Sequence, residues 1–321
     1  MAIPSRGFGS YLGLAEETTW GTAVTVSTNW LRVVSMSVKR TTEIVPRPHL
    51  GDAFSTSTNR RQHYTRADTV GGQIEILCAY DDSSLMILKH ALGAVATTGA
   101  GPYTHDFTLA TPGPTGLTIQ GGYGTGDAEY FQGCKVDSFE WSLTAGDVAR
   151  LTVDVIGETS GGLVLKSAPT YSTGGEEMLH SHISDFSFNG STWCLSDITI
   201  SGGRALTRRN LLGSTLTKEP APGDFGELTV RFTVEYGQTA GLNAAWLAGT
   251  QGDATFTLTG SGNNAATFTL QNLYIRDVSR PINTAGIITQ TVECVCEADN
   301  VSYNEGLKIS IVNDNAAATA N

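Results

Sequence analysis

The sequence predicts an all-β fold with minor helix: two tandem β-sandwich or partial-barrel domains, each with one short flanking helix. Three observations lead there. Charged residues fill only 16% of the 321 positions while Gly alone takes 37, and Ser, Thr and Asn are abundant. That composition suits many short strands and turns, and argues against a helical bundle, a coiled coil or a Lys/Glu-rich disordered chain. Apolar and polar residues alternate at period two in run after run. The order of those runs then recurs in the second half of the chain.

In chain order, residues 30–42 (WLRVVSMSVKRTT) form a long alternating run. Residues 70–80 alternate Ile74, Ile76 and Cys78 against Gln73, Glu75 and Leu77. A cap-like Asp-Asp-Ser-Ser, an apolar stretch, Lys89-His90 and Gly93 then define a helix over 83–92. A loop (TTGAGP) precedes a strand pair at 103–109 and 116–120, closed by the turn GGYGTGD. Residues 134–143 and 148–157 read as a hairpin through Thr144-Ala145-Gly146-Asp147.

After a Gly/Ser-rich stretch the order recurs. A hairpin turns at Asn189-Gly190, residues 193–201 alternate, and 227–236 (ELTVRFTVEY) alternate cleanly. A short helix over 239–247 is followed by a strand pair near 254–259 and 266–270, then a hairpin of 272–280 with 286–297. The repeat implies an internal duplication with a period of about 160 residues, dividing the chain into 1–165 and 166–321.

Charge and motifs exclude more than they assign. The formal net charge of −11 disfavours tight phosphate binding. No apolar run reaches 18 residues, so no membrane segment is expected, and the opening residues lack an apolar signal core. Cys78, Cys134, Cys194, Cys294 and Cys296 lack a CxxC spacing and read as free, core-compatible thiols in a reducing compartment. His180-Ser181-His182 would place two rings on one face of a strand, but no third ligand is fixed, so no metal is expected. The Gly-rich 121–126 run is followed by strand-like residues rather than a helix, which makes it a turn and not a phosphate loop. No catalytic constellation and no cofactor motif appears. Trp141, Trp193 and Trp246 fall in strand or helix periods and are expected in the core.

Two features stand out. Residues 46–68 and 204–226 each run about 20 residues without a clear period, at matching places in the repeat. Segments that long in compact domains usually carry function. Both are basic, with Arg47, Arg60, Arg61 and Arg66 in one and Arg204, Arg208, Arg209 and Lys218 in the other. They read as arms that dock on an acidic neighbour. The polar faces of the long strands carry Ser and Thr with five acids, Glu75, Glu140, Asp154, Glu235 and Glu293, beside Arg150 and Arg231 and without Lys. Such a wall repels phosphates.

The stretch Gly13-Leu14-Ala15-Glu16-Glu17-Thr18-Thr19-Trp20-Gly21-Thr22 resembles the N-terminal part of tail tube proteins of long-tailed bacteriophages, and the 133–146 hairpin with its small-residue turn resembles theirs. The duplicated length resembles the form with two tube domains per chain. The resemblance implies six domains per ring, hence a homotrimeric ring with pseudo-six-fold symmetry, stacked into a hollow tube of the virion tail. The long loops would contact the next ring, and four strands per domain would line the lumen. It implies tape measure, tail terminator and baseplate or tip proteins as partners, assembly in the host cytoplasm, passage of double-stranded DNA without specific binding, and no enzymatic activity. Two other readings stay open on residues alone: a two-domain binding module, adhesin or carbohydrate-binding, and a jelly-roll enzyme.

Overall fold

A computed structural model describes residues 10–46, 63–80, 82–110, 113–124, 127–165, 169, 175–223, 226–236, 240–281, 287–297 and 306–316. The first half contains β1 (Tyr11–Glu16), β2 (Asn29–Leu31), β3 (Ser35–Met36), β4 (Lys39–Pro46), β5 (His63–Leu77), α1 (Asp82–Leu92), β6 (Gly93–Thr98), β7 (Tyr103–Leu109), β8 (Leu117–Tyr123), β9 (Asp127–Thr144), β10 (Arg150–Gly157) and β11 (Thr159–Leu165). A short 3-10 turn at His180–His182 opens the second half. There follow β12 (Phe186–Phe188), β13 (Ser191–Trp193), β14 (Leu195–Gly203), β15 (Leu206–Arg209), β16 (Lys218–Pro222), β17 (Leu228–Glu235), α2 (Ala240–Ala248), β18 (Gly252–Thr259), β19 (Ala265–Ser279), β20 (Thr289–Cys296) and β21 (Leu307–Asn313). The chain is all-β with minor helix, as its composition predicts.

Period-two alternation gives each strand one apolar face, and pairing stacks those faces into layers. One antiparallel sheet runs β3/β4–β5–β10–β9 through the first half and continues as β14–β17–β20–β19 through the second. A second layer pairs β2–β1–β8–β9–β11. A third runs β13–β12–β18–β19–β21–β7–β6 and draws strands from both halves. The long strands β9 and β19 belong to two layers each, so each must bend. They do so at Gly133 (φ +64°) and Asn272 (φ +55°), left-handed positions that Gly and Asn tolerate best.

The core is shared. One contiguous apolar cluster runs from Leu12 to Ile311. Trp141 of β9 reaches into the second half, 4.5 Å from the Phe268 ring and 5.8 Å from that of Phe256. Helix α1 is sunk into this cluster through Leu85, Met86, Ile87, Leu88, Ala91 and Leu92.

Several local expectations are corrected. Residues 46–68 are not simply loop: β4 reaches Pro46 and β5 begins at His63. The pairing of Val45 with Tyr64 and of Glu43 with Ala67 is non-local and needs no apolar alternation. Residues 204–226 likewise contain the small sheet β15–β16. β6 takes up the start of the expected TTGAGP loop, and β11 arises where only a Gly/Ser-rich stretch is legible. Trp141 and Trp193 are buried, but Trp246 is 37% exposed because α2 lies on the surface. Cys194 is exposed, whereas Cys78, Cys134 and Cys294 are buried. Burial pushes the Cys78 and Cys294 thiols up to about 12.

Candidate assembly surfaces

Because the shared sheet buries one face, its other face is set by the alternate residues of each strand. On β5 these are Gln73 and Glu75; on β10, Arg150, Thr152 and Asp154; on β9, Ser138, Glu140 and Ser142. The second half adds Thr199 and Ser201 on β14, Thr229, Arg231, Thr233 and Glu235 on β17, and Thr289, Thr291 and Glu293 on β20. All five acids expected on a polar wall therefore lie on one face of one sheet. Across its middle runs an open groove of about 570 Å³, lined in part by Asp137, Ser138, Glu140, Asp154, Thr152 and Glu227.

Cross-strand partners order this face. Glu75 accepts from Arg150 (2.9 Å) and from the Ser35 hydroxyl (3.1 Å). The adjoining Glu75 carboxylate, with Asp147, raises the Arg150 guanidinium above its ordinary pKa. Asp154 accepts from Ser138 (3.0 Å), and Glu293 lies 3.5 Å from Arg276, which also pairs with Glu227. Hydroxyl pairs Ser201–Thr229 (2.7 Å) and Thr233–Thr291 (3.1 Å) cross the second half. Glu140 and Glu235 are exposed and carry no ion pair among the described residues. The face is acidic, hydroxyl-rich and water-facing.

The basic segments divide. Arg47, Arg60 and Arg61 lie outside the described residues, and Arg66 falls on β5. In the second segment two Arg turn inward instead of outward. Arg204 donates to the carbonyls of Ala110 (2.9 Å) and Leu92 (3.3 Å), closing the C-terminus of α1 in the first half. Arg208 donates to Val70 O (2.7 Å). Burial lowers the pKa of both guanidinia. The same segment pairs Leu206 N with Asp137 Oδ1 (2.7 Å), Asp68 N with Thr215 O (2.9 Å), and Lys135 with Glu219 (2.6 Å). The reach of an Arg side chain to a distant carbonyl has no signature in local sequence. Arg209 and Lys218 are exposed, beside exposed Leu211 and Leu212.

His180 and His182 sit in a 3-10 turn rather than on a strand. His182 Nδ1 lies 3.3 Å from the Tyr80 hydroxyl, and its Nε2 is 3.8 Å from Glu176. One polar cluster escaped sequence reasoning: Glu16 of β1 meets Lys89 (2.7 Å) and buried His90 (3.1 Å) of α1. The His90 contact, with Lys89, holds the Glu16 carboxyl down at about 2. Its only sequence trace is the Lys-His pair that ends the helix.

The fold is thus a layered β-protein with one water-facing acidic sheet face. The family model for phage tail tube proteins matches residues 7–296, and the chain belongs to that family. It is a structural protein of the bacteriophage virion tail. A search of curated proteins gave no match.

Proposed function

We propose that this chain forms the hollow tail tube as stacked homotrimeric rings, each chain supplying two tube domains, 1–165 and 166–321, that arose by duplication. The observation that carries this reading is the eight-strand sheet whose one face is predominantly polar and acidic. Three such sheets make about 24 strands. At roughly 4.8 Å spacing and 45° tilt they close into a barrel of about 50 Å diameter, leaving a bore near 40 Å after side chains. Duplex DNA, about 20 Å across, passes through it. Glu75, Glu140, Asp154, Glu235 and Glu293 line that lumen and repel phosphates, so DNA moves without specific binding. The duplication is supported by the matched strand orders β3/β4–β5–β10–β9 and β14–β17–β20–β19, and by the matched left-handed residues Gly133 and Asn272.

In this reading Arg47, Arg60, Arg61, Arg66, Arg209 and Lys218 contact the next ring, while Arg204 and Arg208 tie the two halves of one chain. Tape measure, tail terminator and baseplate or tip proteins meet the inside and ends of the tube, which assembles in the host cytoplasm. Electron microscopy of the purified protein at rising concentration tests the reading. Hollow tubes with three chains per ring and a bore near 40 Å are expected. Solid filaments, or rings of six chains, would overturn it.

A further inference from the structure

The eight-strand sheet ends in two open edges. Beyond Leu273, β19 pairs only with β20, and β3 and β4 pair only with β5, among the described residues. We infer that these edges join between two copies of the chain: residues 277–281 of one copy add to residues 37–41 of the next. The register is the one β9 and β14 already adopt inside each chain. This inference rests on the ring reading above and assigns its seam.

The internal pairings fix the register. Val153 lies between Ile74 and Phe139, and Val292 lies between Phe232 and Val278. In both sets a bulge follows at the same step, after Asp154 in one and opposite Glu293 in the other. Thus Phe139 corresponds to Val278 and Trp141 to Arg280. On the other edge Met36 pairs with Ile74 as Ile198 pairs with Phe232. Hence Met36, Val38 and Arg40 correspond to Ile198, Ile200 and Gly202. Inside the chain Trp141 faces Ile200 and Phe139 faces Gly202. Between chains Arg280 then faces Val38, Ser279 faces Lys39, and Val278 faces Arg40.

Four features of the open edges agree with that register. Pro281, which has no N–H, falls opposite Ser37, whose own N–H is already given to Gln73 O (2.9 Å). Side-chain size is exchanged in register: large Phe139 meets Gly202, where a Cβ would come within 2.9 Å of the ring, and smaller Val278 meets Arg40. Lys39 and Asp277, both exposed, become diagonal neighbours of opposite charge on the polar face. Finally, Nε and Nη2 of Arg280 are shielded from water yet have no acceptor among the described residues, the guanidinium lying over Tyr236. Arg204 and Arg208 donate to carbonyls across the internal junction, and Arg280 does the same across the seam.

Cysteine cross-linking in assembled full-length protein tests this, in a Cys194→Ser background that removes the exposed native thiol. Lys39 and Ser279 form a non-hydrogen-bonded pair, whose Cα atoms lie about 4.5 Å apart, within disulfide reach. Oxidised Lys39→Cys/Ser279→Cys protein should give a covalent ladder that stops at three chains. A shifted pair, Lys39→Cys/Pro281→Cys, should cross-link at least tenfold less. Tubes that form normally but link through the shifted pair, or through neither, would overturn the register while leaving the ring intact. Absence of any ring or tube from the unsubstituted protein would instead remove the ring reading, and the seam with it. As a second measurement, Lys39→Asp and Asp277→Lys should each raise the concentration needed for assembly, and the double exchange should restore it. No restoration would overturn the Lys39–Asp277 contact.

Discussion

The closed junction between β9 and β14 and the open edges at β3/β4 and β19 share strand geometry but differ in side chains. At the junction Phe139, Trp141, Ile198 and Ile200 are buried, and Trp141 packs against aromatic residues of the other half. At the matched edge positions stand Val278, Arg280, Met36 and Val38, flanked by Lys39, Arg40 and Pro281. A junction made once, within one chain, is free to be greasy. An edge that faces water in the single chain carries charge and Pro, the residues that discourage random strand addition. In the proposed seam a backbone ladder would supply the affinity common to both places, and the side chains would decide which one is permanent.

The largest expected effect lies at the centre of the closed junction. Trp141→Ala should destabilise the folded chain by about 3–5 kcal/mol, since it empties a site shared by both halves. Arg280→Ala at the matched edge should change single-chain stability by less than about 1 kcal/mol. Denaturant unfolding at a concentration where the protein is monomeric separates them. Equal losses would mean that the edge is already a core.

The next effect compares the two kinds of cation in the second basic segment. Arg204→Ala takes the guanidinium from Ala110 O and from Leu92 O, which keeps only the Ala110 N–H (3.0 Å), and should cost about 2 kcal/mol. Arg209→Ala should leave stability within about 0.5 kcal/mol and show its effect in tube formation. Thermal unfolding of both variants, together with tube counts by microscopy, checks the division between an internal tie and an external contact.

The smallest effect has the opposite sign. Gln290 is fully buried with neither amide atom partnered among the described residues, at the position where β10 carries Leu151. Gln290→Leu should raise stability by about 1 kcal/mol, because it removes an unsatisfied buried amide and keeps the volume. A loss in denaturant unfolding would mean that the amide has a partner in the folded protein.

Much of the fold was legible in the sequence for a plain reason: alternation is a local property, and local properties are written residue by residue. Residues 148–157, 193–201 and 227–236 became β10, β14 and β17 with small boundary shifts, and 134–143 became the second half of β9, which begins seven residues earlier at Asp127. The two helices fell within a residue or so of the expected 83–92 and 239–247. The acids of the polar wall were legible too, since alternation places each opposite an apolar neighbour. β21 had an equally clean pattern, Leu307, Ile309 and Ile311, yet it stands apart from the repeated order and was not assigned. Other elements had no local mark. β6 and β11 are Gly- and Thr-rich and form because neighbouring ladders offer them an edge. Trp246 has a helical period that suits a core, but α2 buries mainly Leu242.

The amino-acid sequence by itself determined that this chain is a layered all-β protein with an acidic strand face, because period, turn chemistry and charge are set residue by residue. Tertiary structure alone decided that the two halves share one sheet and one core, and that Arg204 and Arg208 point inward. It also decided which two edges stay open. Each of these depends on contacts between residues far apart in the chain, 53 to 65 positions in the β9–β14 ladder and 200 to 210 in the β7–β21 ladder, and no local pattern encodes such a partner.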